Sequence, residues 1–280
     1  MIRLHSLATT ALLLVVAAIP AGEPSAARAP ASISATGDTI DAWRFNVGER
    51  MEYSMTWGVA RIGQASLTVE AVDTIAGVPV YRAAMEMHGG PPFYRLDDRQ
   101  VTWIRPAPFA SLRFDQKLRQ GGYRRDRSYR MDADSGTYSR YDQEDGEFVL
   151  HDTEASVAIP DGALDDVSFL YFMRLAQLEM GQRYQYNRFF LAKGNPIDVE
   201  VLRRERIRVP AGRFETVVLR PIFKTGGLFG EGAEAEMYVT DDERRIVVRL
   251  KMKAPIGTLN LYLKEYEAGA AAPGIAAPPG

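Results

Sequence analysis

The stretch AEAEMYVTDDERRIVVRLKMK, residues 233–253, decides the fold class of this chain. In its first part small or apolar side chains alternate with polar ones, and the alternation returns from Ile246 onward. A period of two residues is typical of a strand with one buried and one solvated face. Between the two runs, residues 241–244 (DDER) have the composition of a turn. The pattern therefore predicts an antiparallel β-hairpin.

The same stretch predicts how the two strands pair. A symmetric hairpin with a loop of two or four residues places Met237 opposite Val248 and Glu236 opposite Arg249. The other pairs are also apolar with apolar or acidic with basic: Val239 with Ile246, Ala235 with Leu250, and Glu234 with Lys251. A slip of one residue would undo both kinds of pair, so we expect this register.

Similar alternating runs follow one another along most of the chain. They are separated by short segments rich in Gly, Pro and Asp, which are typical of turns. We predict about 13 strands in this way, including residues 95–104, 109–118, 147–151, 183–192 and 197–209. Because most connections are short, the strands are expected to run antiparallel, and a sheet of this size must curl, split or close.

One segment, Asp165 to Leu178, does not alternate and contains no Gly or Pro. An Asp at its start can cap a helix, and Gly181 is predicted to end it. Apolar residues cover most of the helical surface, so the helix is expected to be buried. The predicted fold class is all-β with one helix. We expect a large antiparallel meander curled into an open or partly closed barrel, with the helix packed against the sheet.

The two ends of the chain differ in composition from its middle. Residues 1–21 have a basic start, an apolar run and then small residues, the order found in a secretory signal peptide. The apolar run is shorter than the roughly 20 residues that span a bilayer. Residues 22–40 are predicted to be a disordered linker and residues 268–280 a disordered tail. This leaves 41–267 as a single β-rich domain, which we expect to be exported to the periplasm without a membrane span.

Several phrases resemble one bacterial family, the domain of unknown function 3108. They are FNVGERMEYSMTWGVARIGQA from residue 45, DDVSFLYFMR from 165, VPAGRFETVVLRP from 209, and AEMYVTDDERRIVVRLKMKAPIGTLNLYLKEYE from 235. The phrases occur in the family's order over about residues 45–266. The resemblance implies an exported bacterial protein with a β-rich fold, and it carries no catalytic residue over. In predicted architecture alone, the chain is also similar to curved-sheet lipoprotein carriers that shield acyl chains.

The composition argues against metal binding, nucleophilic catalysis and nucleic-acid binding. The chain has no cysteine, and only His88 and His151 follow the predicted signal peptide. Neither has a partner at a metal-ligand spacing, so we predict no metal site and expect His88 on a solvated strand face. A Gly-x-Ser-x-Gly nucleophile motif is absent. With 34 basic and 36 acidic residues, no large field attracts nucleic acid. The sequence therefore favours a non-catalytic protein without a cofactor.

Charged residues leave two alternatives open. The adjacent carboxylates Asp97-Asp98 and Asp165-Asp166 could serve hydrolysis, although turns and helix starts are the usual places for Asp. Two arginine-rich runs, residues 119–130 and 203–208, could bind anionic lipids or cell-wall polymers. They could equally be solvated strand faces balanced by nearby acidic residues, which is the interpretation that the small net charge favours.

Three functional hypotheses follow. The first is a carrier of an apolar or lipid-like ligand in the envelope, the second a structural or envelope-assembly protein that works through protein contacts, and the third a carboxylate-dependent hydrolase. For the carrier, we expect the ligand at the helix and at the loop 226–232: Phe169, Phe172, Met173, Leu228 and Phe229. The helix residues could instead be plain core. An internal cavity favours the first hypothesis, and a filled core with an exposed apolar patch the second.

Overall fold

The fold is a single large β-sheet with one α-helix buried against it. The computed structural model describes residues 33–34, 45–91, 94–151, 154–176, 178–224, 234–254 and 257–270. Within these ranges the sheet has 16 strands, where the sequence predicted about 13. The predicted fold class, all-β with one helix, is confirmed.

The elements have the following bounds in chain order: β1 (Ile33–Ser34), β2 (Val47–Trp57), β3 (Ala60–Ile75), β4 (Val78–Gly89), β5 (Leu96–Arg105), β6 (Ala110–Gln120), β7 (Tyr123–Asp132), β8 (Thr137–Glu144), β9 (Glu147–Leu150), β10 (Val157–Ala158), α1 (Asp166–Leu175), β11 (Arg183–Tyr186), β12 (Ile197–Val209), β13 (Gly212–Ile222), β14 (Glu234–Thr240), β15 (Val247–Ala254) and β16 (Gly257–Ala270).

The strands lie in the order β1-β11-β12-β13-β14-β15-β16-β2-β3-β4-β5-β6-β7-β8-β10, and β9 pairs with β8. Neighbours run antiparallel except for β1 and β11, which are parallel. Strands β2 to β8 form a meander, and β16 joins them to the run from β11 to β15. Within the described part of the chain β1 and β10 do not pair with each other, so the curled sheet stays open.

The predicted hairpin of β14 and β15 is present, but the predicted register is wrong. Met237 lies opposite Leu250, and Glu236 lies opposite Lys251, so at these positions the pairing is displaced by two residues from the expected one. Met237 and Leu250 are both buried, and the side chains of Glu236 and Lys251 form an ion pair of 3.2 Å. A displacement of two residues keeps Met237, Leu250, Glu236 and Lys251 on their predicted faces, so the apolar face is still the buried one.

The displacement originates in the connection between the two strands. Residues 241–245 form the loop, because the amide of Thr240 donates to the carbonyl of Ile246 at 2.9 Å. A loop with an odd number of residues would turn one apolar face outward. A β-bulge at Val248, which has no partner on β14, restores the alternation. As a result Val247, which was expected on the solvated face, is buried as well.

Helix α1 begins as the sequence predicted, with Asp165 as its N-cap. One carboxylate oxygen of Asp165 accepts the amides of Val167 and Ser168, both at 2.8 Å, and the amide of Asp165 donates to the Ser168 hydroxyl at 2.8 Å. This reciprocal pair is a capping box. It satisfies amides that would otherwise have no partner inside the protein.

The helix ends earlier than predicted. Leu175 is its last residue and Ala176 is already extended, with φ −64° and ψ 137°. The expected end at Leu178, followed by Gly181, is wrong. The amide of Gly181 donates instead to the carbonyl of Val201 on β12 at 2.9 Å, so the chain has to leave the helix early enough to reach the sheet.

The strand predicted over residues 183–192 is also shorter than expected. β11 ends at Tyr186, and the chain then turns inward, where Phe189 and Phe190 are both buried. The amide of Phe190 donates to the carbonyl of Leu164, just before α1, at 3.0 Å. Two consecutive buried aromatic residues cannot lie on alternate faces of a half-solvated strand, which explains why the ladder stops.

The helix lies across the inner face of the sheet at one end. It packs against β4 and β5, and every residue from Val167 to Leu175 is buried. Its N-cap contacts Thr102 on β5, and near its other end Arg174 contacts Glu49 on β2. The predicted packing of the helix against the sheet is thereby confirmed.

Candidate functional site

The β8–β9 hairpin carries the main exposed apolar feature of the described residues. Phe148, Val149 and Leu150 are 38%, 45% and 40% exposed. The one other large apolar residue with high exposure in the described chain is Val59, which lies alone in the β2–β3 turn. Since consecutive residues of a strand point to opposite faces, β9 presents apolar side chains on both faces.

A tight turn sets the geometry of this hairpin. Asp145 and Gly146 have φ angles of 48° and 89°, and the flanking residues Glu144 and Glu147 face each other across the strands. Positive φ at both central residues is the type I′ turn, which an Asp-Gly sequence favours. The turn therefore fixes the register in which β9 returns along β8.

The outer edge of β9 has free backbone groups. The amide of His151 donates to the carbonyl of Arg140 on β8 at 2.9 Å. In an antiparallel ladder alternate residues bond to the same neighbour, so Val149 also bonds towards β8 whereas Phe148 and Leu150 direct their N–H and C=O groups outward. Over the described ranges no strand pairs with that side of β9. Such an edge is a template for another strand.

Charge is distributed unevenly along the hairpin. The tip carries Glu144, Asp145 and Glu147, and the base carries Arg140 and His151. The hairpin is therefore acidic at its tip, whereas Arg140 at the base is paired with Asp142 and Glu154. A second strand that pairs with β9 would place one of its ends beside the acidic tip. A partner strand with a basic group at that end is therefore favoured.

The residues predicted for a ligand site lie in the packed interior or outside the described ranges. The ring of Phe169 contacts Phe223 at 4.9 Å between centroids, and the ring of Phe172 contacts Tyr186 at 5.0 Å. Phe169, Phe172 and Met173 are at most 1% exposed. Leu228 and Phe229 lie outside the described residues. The helix residues are brought together by the structure, but as parts of the core.

A buried ion pair beside the helix was not found from the sequence. The guanidinium of Arg174 donates to both carboxylate oxygens of Glu49 at 2.8 and 2.9 Å, and Arg174 is 0% exposed. The hydroxyl of Tyr266 donates to the same carboxylate at 3.0 Å. Burial opposes the charge of Arg174, but the hydrogen bonds and charge of Glu49 outweigh it and raise the pKa of Arg174. A single Arg in an otherwise apolar helix could have indicated a buried charge. No local pattern in the sequence could have identified its partner, which lies 125 positions away.

A second polar group lies on the inner face of β5. Asp98 is buried and accepts hydrogen bonds from the amide of Arg119 at 2.8 Å and from the side chain of Gln120 at 2.6 Å. Burial raises the pKa of Asp98 despite these bonds. On the same face Gln100 accepts a weak hydrogen bond from Gln116 at 3.5 Å. Among the described residues the carbonyl oxygen of Gln116 is buried without a hydrogen-bond partner.

The candidate catalytic carboxylates do not converge. Asp98 points inward, whereas Asp97 is half exposed and lies 2.8 Å from His88, which is also exposed. The expectation of a surface His88 is confirmed. Asp165 is occupied as the helix cap, and its second oxygen accepts the hydroxyls of Thr102 and Ser111 at 2.6 and 2.5 Å. Within the described ranges no three His, Cys, Asp or Glu residues are placed to hold a metal ion, and no helix is long and apolar enough to cross a membrane.

Several arginines of the two arginine-rich runs form ion pairs with acidic neighbours. Arg127 contacts Asp142 at 2.6 Å, and Arg119 contacts Asp126. In the second run Arg203 contacts Glu205 at 2.8 Å, with further pairs from Arg204 to Asp241 and from Arg206 to Glu215. These ion pairs agree with the interpretation of the runs as solvated strand faces, in which acidic neighbours balance part of the basic charge.

Comparison with known proteins gives a family. The model of a family described as a protein of unknown function, DUF3108, matches residues 52–264. The chain belongs to the DUF3108 family. The match covers the sheet from β2 to β16 and includes α1, so the resemblance noted in the sequence is confirmed. A search of curated proteins finds no match to this DUF3108 chain.

Solved structures with a similar course of the chain are distant in sequence. A β-barrel-like protein of the domain of unknown function 1849 from Brucella abortus is 10% identical, with a TM-score of 0.46, over 81% of this chain and 99% of its own. A hypothetical protein from Chlamydia trachomatis is 8% identical, with a TM-score of 0.35, over 84% and 93%. A presumed lipoprotein from Parabacteroides distasonis is 10% identical, with a TM-score of 0.31, over 82% and 100%.

Proposed function

We propose that this DUF3108 protein is a non-catalytic protein of the bacterial envelope that works through contacts with other protein chains. The contact is strand addition at the outer edge of β9. The observation that carries this proposal is the coincidence, in one hairpin, of free backbone groups with three consecutive exposed apolar side chains. In strand addition the backbone bonds supply affinity and the side chains supply selectivity.

The partner is an extended protein segment with apolar side chains. An exposed apolar edge is a liability for aggregation unless something covers it, and folded proteins commonly protect such edges with charge or with a partner. Three acidic residues, Glu144, Asp145 and Glu147, lie at the tip of this hairpin, and the apolar stretch 148–150 contains no charged residue. Acidic residues therefore discourage pairing at the tip of the hairpin, whereas the edge along residues 148–150 remains accessible.

Photo-crosslinking in cells tests this function. A photoreactive amino acid is placed at Val149, with Val59 as the matched control because it is apolar and exposed but lies in a turn. We expect a discrete protein adduct at position 149 that disappears with the added substitution Leu150→Lys and persists with Val59→Lys. No adduct at 149 above the level at 59 would contradict the proposal.

Export is part of the same proposal. The signal-like order of residues 1–21 supports it, and these residues lie outside the described ranges. N-terminal sequencing of protein released from the periplasm is expected to begin near residue 22. Recovery of the full chain from the cytoplasm, with Met1 or Ile2 at its start, would contradict export.

One observation favours the carrier hypothesis as a second candidate. Met85 and Met87 on β4 face Gln100 and Asp98 on β5, so flexible apolar side chains border the inner polar group. The buried, unmatched oxygen of Gln116 lies beside them, and an amphiphile with a hydrogen-bond donor would satisfy it. Displacement of a fluorescent fatty acid tests this idea, with Gln116→Leu as the variant expected to change affinity. Absence of saturable binding by the folded wild type would end it.

A further inference from the structure

Resting on the proposed strand addition, we propose that β9 pairs with β9 of a second copy of this chain. The two strands run antiparallel about a two-fold axis at Val149, which then lies opposite the Val149 of the second copy. This joins the two sheets at their β8–β9 ends into one continuous sheet with the order β8-β9-β9-β8 across the junction. Closed pairs of this kind use the same surface on both copies.

The backbone of β9 fits this axis. Phe148 and Leu150 are the residues whose N–H and C=O groups point outward, as the bond from His151 to Arg140 establishes for the ladder. A two-fold axis at Val149 sets Phe148 opposite the Leu150 of the second copy, and Leu150 opposite its Phe148. Each of these two pairs exchanges both backbone hydrogen bonds, and Val149 occupies the non-bonded position between them.

The side chains are self-complementary in the same register. The stretch Glu147-Phe148-Val149-Leu150-His151 reads as acidic, apolar, apolar, apolar, imidazole. About Val149, each Phe148 meets a Leu150, and each Glu147 meets a His151, which can donate a hydrogen bond to the carboxylate. An axis at Phe148 would instead place Val149 opposite Glu147 and Leu150 opposite Gly146. Both the apolar pair and the pair of Glu147 with His151 would then be lost.

Charge also favours the antiparallel arrangement. The tip of each hairpin carries Glu144, Asp145 and Glu147, and a parallel pairing would bring the two acidic tips together. In the antiparallel pair the tips point in opposite directions, so the two acidic tips stay apart. A four-residue strand covers far less than the roughly 1,200 Å² of a stable interface, so the dimer is weak and depends on concentration.

The absence of native cysteine makes a direct test available. Val149→Cys introduces a single thiol, and the non-bonded pairs of antiparallel strands have Cα atoms about 4.5 Å apart, within the range for disulfides. Under mild oxidation we expect Val149→Cys to form a disulfide dimer at least about tenfold faster than Val59→Cys at equal concentration, because pairing raises the local thiol concentration. Adding Leu150→Lys to Val149→Cys should reduce the rate to that of the control.

A second experiment tests the register of the two β9 strands. When chains with Phe148→Cys are mixed with chains with Leu150→Cys, the mixed disulfide should exceed either symmetric one. Circular dichroism of each variant, compared with the wild type, verifies that the fold is retained. Equal rates for Val149→Cys and Val59→Cys, or no preference for the mixed disulfide, would overturn the pairing.

Failure of this inference and failure of the proposed function are distinguishable. An adduct at position 149 with twice the mass of the chain supports self-pairing. A Leu150-dependent adduct of another mass, together with slow oxidation of Val149→Cys, overturns self-pairing but leaves strand addition to a different protein intact. No specific adduct and slow oxidation overturn both.

Discussion

Arg174 is fully buried on a helix whose other buried residues are mostly apolar, and it connects three separate parts of the chain. It donates to Glu49 on β2 and to the carbonyl of Arg245 in the β14–β15 loop at 2.8 Å. Its guanidinium also lies 3.9 Å from the centre of the Phe45 ring. Because each of its three nitrogens donates to a protein group, the pair is a structural contact that positions α1 against both halves of the sheet.

Removing one partner of this pair should be costly. Arg174→Met leaves Glu49 buried without its counter-charge, and we expect a loss of about 3–5 kcal/mol in the free energy of unfolding. The double variant Glu49→Leu/Arg174→Met should recover a large part of that loss. Urea unfolding measures both, with Arg206→Met, from an exposed pair with Glu215, as the control at below about 1 kcal/mol. A cost for Arg174→Met equal to that of the control would contradict the structural role.

Asp166 predicts a dependence of stability on pH. Burial, with the charge of Asp165 beside it, raises the pKa of Asp166 to about 7. In the unfolded chain an Asp titrates near 3.9, so between these values the folded state binds more protons and stability falls as pH rises from about 4 to about 7. Above about pH 7 the loss of stability caused by the buried charge of Asp166 is constant. Below about pH 4 this loss disappears, because Asp166 is protonated in both states.

Asp166→Asn should remove this penalty. Because the side chain of Asp166 keeps partial solvent exposure, we expect a gain of about 1–2 kcal/mol at pH 8, less than the full shift implies, and no gain at pH 4. Urea unfolding at pH 4, 6 and 8 measures the difference between wild type and variant. A difference that is the same at all three values would show that Asp166 does not titrate in this window.

At the scale of elements, local sequence signals and long-range contacts act together in α1. Asp165 is recognisable as an N-cap, yet its second carboxylate oxygen also accepts hydroxyls from Thr102 on β5 and Ser111 on β6. The cap therefore fixes the start of the helix to the sheet. In the β14–β15 hairpin the odd loop and the bulge at Val248 compensate each other, which keeps the buried face intact.

Loss of the Asp165 cap should cost more than a normal cap. An exposed N-cap replaced by Ala costs about 0.5–2 kcal/mol. Here Asp165→Ala also removes the buried carboxylate that accepts the hydroxyls of Thr102 and Ser111 at 2.6 and 2.5 Å, so we expect about 3 kcal/mol. Asp132→Ala is the control, because Asp132 bonds to two amides in the β7–β8 turn, beginning with Asp134 at 2.9 Å, but is exposed. Equal losses in thermal or urea unfolding would refute the long-range part of the contact.

At the scale of the whole molecule, the open sheet leaves strand edges. The run of strands ends at β1 on one side and at β9 and β10, both beside β8, on the other. The β9 edge combines free backbone groups with exposed apolar side chains, a combination that suits strand addition. The residues of α1 are buried in the core, whereas this edge is accessible to a partner.

Hydrogen exchange should report on this edge residue by residue. In dilute protein the amides of Phe148 and Leu150 are expected to exchange quickly, whereas the Val149 amide, bonded towards β8, is protected. Raising the protein concentration should slow exchange at 148 and 150 and leave the amide of Val59 unchanged. Exchange at 148 and 150 that does not depend on concentration would argue against self-pairing.

The sequence determined the fold class, the buried faces and several boundaries. The strand over 197–209 and the helix start at Asp165 could both be predicted because each depends on local periodicity or on a capping residue. Burial of the apolar face of the β14–β15 hairpin was likewise determined, since a displacement of two residues does not change the face. The family was readable from four phrases of the chain.

Only the tertiary structure decided the pairing and the candidate site. The register of β14 and β15 depends on a bulge, and the end of α1 depends on the contact from Gly181 to Val201, neither of which leaves a local pattern. The pair of Glu49 and Arg174 joins residues that are far apart in the chain. The free edge of β9 could not be predicted from the sequence for a related reason. An alternating or apolar run predicts a strand, but the rest of the chain decides whether another strand lies beside it.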